Sequence, residues 1–155
     1  MRYRAALLAL VFLFAAPTPG KLSGKFIVGG EDAQLKYVRA QRMKLDDKGH
    51  MGIAVLMSAK PLTGDIQRYR AADPVEKGSY VLVVFDQNND VWVADLGHIH
   101  AKTKPFGVMT EIKKAAYSLK DGRIAAHITT GGEQVFTEDH YSVDLTFDTP
   151  IEPLT

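Results

Sequence analysis

Apolar positions along this chain come in short runs, either unbroken or alternating with polar ones, and Gly, Pro, Asp and Asn separate them. From Tyr80 to Phe85 every residue is apolar or aromatic. Such a run predicts a central strand covered on both faces, or nearly so. Gln87 to Asp90 are four polar residues that favour a turn, and a second apolar run follows from Val91 to Ala101. Residues 78–101 are therefore expected to form a β-hairpin with a four-residue loop.

The same pattern predicts further strands at 24–28, 34–43, 52–58, 110–119, 123–130 and 140–147. Asp121 and Gly122, set between two such runs, are a strong hairpin signal. Across 140–147, Tyr141, Val143, Leu145 and Phe147 share one face, while His140, Ser142, Asp144 and Thr146 share the other. Residues 63–72 have the spacing of one or two helical turns, with Asp73 and Pro74 as the stop. Pro150 and Pro153 are expected to end the fold. About eight strands and no long amphipathic helix make this an all-β chain, expected as a single antiparallel β-sandwich. A lipocalin-like β-barrel is the alternative. It would favour a Gly-x-Trp near its start, whereas Trp92 lies in mid-chain.

Composition changes the picture mainly at the beginning. Arg2 and Arg4 precede an apolar run from Ala5 to Ala16, and Pro17 to Gly20 follow. A basic start, a short apolar stretch and small residues predict a secretory signal peptide over residues 1–20. The run is shorter than the roughly 20 residues a membrane span needs. Residues 21–155 are then one domain, with 17 Lys and Arg against 18 Asp and Glu. That near-neutral balance gives no support to a nucleic-acid partner, and no membrane span is expected after cleavage. The chain has no cysteine. Export without disulfides fits a bacterial periplasmic or extracellular protein, one that relies on its core alone.

Motifs for covalent or cofactor chemistry are missing. No Gly-x-Ser-x-Gly elbow, Walker loop, dinucleotide glycine pattern or His-Glu-x-x-His occurs, and thiol catalysis is excluded. Ile27 to Gly30 resembles the mature N-terminus of trypsin-like proteases, but Phe26 precedes it and no serine stands in a protease-like context. The plain reading is a strand followed by a Gly-Gly turn. Glu138, Asp139 and Asp144 read as solvated acids, and Met57 as core.

Several strand patterns taken together resemble an uncharacterised family of exported bacterial proteins. They are 24–28, 35–40, 53–62, Asp121 to Ile124 and Tyr141 to Phe147. The resemblance implies an immunoglobulin-like β-sandwich and transfers no catalytic residues.

Function is accordingly expected to be non-catalytic binding at the cell envelope, toward a protein or small-molecule ligand. A small hydrophobic-ligand carrier is one alternative. A periplasmic zinc- or copper-binding protein is the other, and it names its residues. His98 and His100 lie two apart in an expected strand and so share a face, and a bulge at Gly97 would turn both outward and Ile99 inward. His127 and His140 lie on polar faces and would approach one another if their strands pair side by side. Two such pairs could ligate zinc or copper through imidazole nitrogens.

Overall fold

The computed structural model describes residues 18–108 and 111–154. The expected leader therefore lies outside the described residues, apart from Thr18 to Gly20. Four strands form one wing as an antiparallel meander: β3 (Tyr37–Lys44), β4 (Met51–Ser58), β5 (Tyr80–Phe85) and β6 (Val91–Gly97). The second wing contains β1 (Lys21–Val28), β8 (Lys113–Lys120), β9 (Arg123–Thr129) and β11 (Asp139–Glu152), ordered β1-β11-β9-β8. Each of the eight expected strands is present. Three short ones join them: β2 (Glu31–Asp32) on β1, β7 (Phe106–Val108) on β6 and β10 (Gln134–Phe136) on β11.

The two wings are joined by β11. It runs antiparallel to β1 and β9, and its last residues, Ile151 and Glu152, pair in parallel with Ala40 and Gln41 of β3. This corrects two expectations. The sheet is mixed rather than purely antiparallel, and the chain does not leave it at Pro150. Pro150 sits opposite Arg123 at the end of the β9 ladder, and the strand then swings across to the other wing. Arg39 of β3 fixes that end by gripping Glu152 with Nε and Nη2 and the Gly64 carbonyl with Nη1. The result is an all-β chain whose sheet curls into a half-barrel.

Phe26, Val55, Val83, Phe85, Ile128, Val143 and Phe147 belong to one core cluster that both wings share. Phe85 lies 5.4 Å from the Tyr117 ring and 6.4 Å from the Phe147 ring, so β5 packs directly against β8 and β11. The other face of β4 and β5 is covered too. Ala54, Leu56, Tyr80, Leu82 and Val84 pack with Ile66 and Tyr69, which belong to the segment between β4 and β5. That segment holds a 3₁₀ turn (Ile66–Tyr69) and one helical turn, α1 (Pro74–Lys77). All six residues of β5 are buried for this reason, as the unbroken apolar run predicts. Asp73 and Pro74 begin a helical turn instead of stopping one. The Asp73 carboxylate accepts the Val75 amide, and Pro74 takes the first position, where no N–H is missed.

The two hairpins that the sequence marks most clearly are in place. Lys120 pairs with Arg123 across Asp121 and Gly122, both at positive φ. Between β5 and β6, the Asp86 carboxylate accepts the amides of Asn88 and Asp90 and closes the turn. Among the described residues no helix is long and apolar enough to cross a membrane.

Candidate functional site

The histidines are placed differently from expectation. β6 ends at Gly97, and the chain turns through His98 to Ala101, with the Ala101 amide bonded to the His98 carbonyl. His98 is fully buried while His100 is exposed, so the two do not share a face. Their ring centroids are 5.6 Å apart. The strand irregularity lies at Trp92 and not at Gly97. Phe85 pairs with Val91 and Val84 with Val93, so Trp92 is left out of the ladder and is 39% exposed. His127 lies opposite Thr146 on β11. His140 is six residues further back along that strand, roughly 20 Å away. The expected approach of His127 to His140 therefore fails on register. Each instead meets an acid: His127 Nε2 lies 2.7 Å from Asp144, and His140 Nδ1 lies 3.0 Å from Glu133.

His98 has a defined tautomer. Its Nδ1 accepts the His100 amide N–H at 3.1 Å, so the neutral ring carries its proton on Nε2. That Nε2 is buried and has no hydrogen-bond partner. The ring packs edge-on against Phe26 at 5.1 Å. A metal at Nε2 would require the proton to move to Nδ1, into the amide that Nδ1 now accepts. Among the described residues, no three His, Asp or Glu side chains are grouped to hold a metal ion.

Burial pulls the His98 pKa below its ordinary 6.5, with the Glu31 carbonyl opposing. The unfolded chain then binds the proton more readily than the folded one. The stability this histidine contributes is complete above pH 6.5 and is lost as pH falls through the lowered value. Chemical denaturation at pH 7.5 and 5.5 is expected to show a smaller loss of stability in His98→Leu than in the parent. Equal losses would mean that His98 is solvated.

Two further carboxylates are occupied by the backbone. Asp139 is buried and accepts the amides of Lys102 and Thr103, both at 2.8 Å. Burial raises its pKa, but these amides outweigh that and hold it below the usual range. Asp46 accepts the Lys48 and His50 amides and lies 2.5 Å from His50 Nδ1, a bond that lowers its pKa. With Trp92, Asp86 and Gln87 these residues line a hollow of about 170 Å³. Both acids there close their own hairpin turns.

The larger feature is on the second wing. Three consecutive residues from each of four adjacent strands line an open groove of about 570 Å³: Lys21 to Ser23, Ala116 to Ser118, Ala125 to His127 and Thr146 to Asp148. The middle residue of each trio is in register with the next: Leu22 opposite Phe147, Phe147 opposite Ala126, Ala126 opposite Tyr117. These four turn toward the core, so the floor of the groove is backbone. Ser23, Thr146, His127 and Ala116 form one wall. Lys21, Asp148, Ala125 and Ser118 form the other. The groove thus runs across the strands, on the face of the sheet that looks away from the core. It exists because Ala116, Ser118, Ala125 and Ser23 are short where a solvated strand usually carries long side chains. Arg123 holds Asp148 at 2.8 Å and the Thr18 carbonyl at 2.9 Å, which sets one corner.

No family model, curated protein or solved structure matches the chain.

None of the four histidines singled out from the sequence organises this groove except His127, at its rim. The groove itself left a faint trace in the sequence. Small residues stand at the outward positions of 116–118, 125 and 146, each one unremarkable until the register aligns them.

Proposed function

We propose that this chain is an exported, non-catalytic recognition domain of the bacterial cell envelope, and that it binds through the groove across β1, β11, β9 and β8. The carrying observation is the unequal covering of the two wings. The chain folds its own segment over the outer face of β4 and β5, while among the described residues nothing covers the outer face of the second wing, which carries the groove. Core side chains occupy the space between the wings, which favours surface recognition over a lipocalin-like carrier. The immunoglobulin-like sandwich stays the preferred description of the fold. β8 meets the β5–β6 turn through side chains, with Tyr117 on Asn89 and Lys114 on Asp90, rather than through a ladder. Export is supported by the basic start and the apolar run that precede the domain.

Ala125 lines the groove and alternates along β9 with the buried Ile124 and Ala126, so Ala125→Trp fills the groove from outside. The exported parent, purified from culture, is expected to carry envelope material that the variant lacks. Their unfolding free energies should agree within about 0.5 kcal/mol, as for other surface changes. Identical co-purifying material from both proteins would remove the groove from the account.

A further inference from the structure

Resting on the recognition role proposed above, the charge around the groove identifies a ligand class. On the exposed face of the four strands stand five cations, Lys21, Lys25, Lys113, Lys120 and Arg123, against two acids, Asp144 and Asp148. Both acids are already engaged, by His127 and Arg123. Among the described residues, none of the four lysines has an ion-pair partner. The rest of the domain has the opposite balance, twelve cations against sixteen acids. Positive charge is therefore concentrated on a sheet face that no described residue covers, in a near-neutral domain, and such a face attracts an anionic partner.

The shape narrows the choice. A recessed channel across four strands, roughly 15 Å long, suits a linear chain and not a flat membrane surface. An extended peptide would bind a sheet by adding to its edge, using free backbone groups. Here the floor lies within the sheet, where the backbone of β11 and β9 is already paired. A nucleic-acid strand would look for exposed aromatic rings to stack on. The aromatic residues at the groove, Tyr117 and Phe147, turn into the core. What the walls do offer is hydroxyl groups, from Ser23, Ser118 and Thr146, beside Lys21; Lys25, Lys113 and Lys120 stand two or three residues further along the same strands, on the same face. We propose that the groove binds a linear acidic polysaccharide, with its carboxylates on the lysines and its ring hydroxyls on the serine and threonine hydroxyls.

The test is an amide-shift titration of the ¹⁵N-labelled exported protein with oligogalacturonate, and in parallel with maltohexaose and a polyglutamate peptide. Saturable shifts confined to β1, β8, β9 and β11 are expected with the acidic sugar alone. Lys21→Glu with Lys120→Glu should weaken binding by about tenfold or more, and 0.5 M salt, on the order of a Debye length of a few Å, should do the same. Both lysines are exposed, and the folded spectrum of the double variant serves as its own control. No saturable shift with oligogalacturonate, shifts elsewhere on the protein, or an equal response to polyglutamate would overturn the proposal. If the sugar fails while Ala125→Trp still strips the co-purifying material, the ligand class falls and the recognition face stands. If both fail, both fall.

Discussion

Phe85→Ala is expected to lower the unfolding free energy by about 3–5 kcal/mol, a large share of the roughly 5–15 kcal/mol that holds a domain of this size. Phe85 is fully buried. Its ring stands between Tyr117 of β8 and Phe147 of β11 while its backbone belongs to β5, so it ties one wing to the other. Truncation leaves a cavity at that junction that neither sheet can close without distorting its ladders. Phe85→Leu keeps most of the volume and should cost less than about 1.5 kcal/mol. Midpoints from urea denaturation of the three proteins give both numbers. A loss below about 1 kcal/mol for the alanine variant would mean that the wings are not packed against each other.

The second large effect belongs to a glycine. Gly24 adopts φ +103° in β1, and a Cβ built there would collide with the Asp144 carbonyl oxygen of β11. Gly24→Ala must both enter a backbone region that L residues avoid and push the two strands apart. A cost of about 3 kcal/mol or more is expected, with faster amide exchange along β1. Gly29 is the control. It also has positive φ, at +57°, but open space surrounds its Cβ position, so Gly29→Ala should cost only about 1 kcal/mol. Equal costs would show that the contact with β11 is not set by Gly24. Lys21 and Ser23 reach the groove only while β1 stays paired with β11, so the binding surface depends on that same register.

What could be read from the sequence follows from how local its cause is. The β5–β6 hairpin and the Asp121–Gly122 turn are encoded within a few residues, by turn chemistry and by the runs on either side. The double covering of β5 was legible in Tyr80 to Phe85, although what covers it was not. Ile66 and Tyr69 do stand at helical spacing, but they reach the sheet from a 3₁₀ turn of four residues, too short for that period to show which strands it covers. The passage of β11 through Pro150 to β3 depends on pairing between residues 40 and 151, which no local pattern encodes. The apolar run continues past His98 and predicts a strand there. The chain turns at that point, where Gly97 has no room for a side chain beside the Tyr80 ring. The groove is the least local feature of all, since its four trios come from residues up to 127 positions apart in sequence and meet only when three ladders are in register.

The grooved face of β1, β11, β9 and β8 is expected to meet the partner in the living cell. A photo-activatable residue at Ser118, in the groove wall, tests it directly, with Val75 of α1, 64% exposed on the other wing, as the matched position. Irradiation of intact cells is expected to give a discrete adduct from Ser118 and none from Val75, and Ala125→Trp in the same chain should abolish it. An adduct from Val75 but not from Ser118, or a Ser118 adduct that survives Ala125→Trp, would contradict the account.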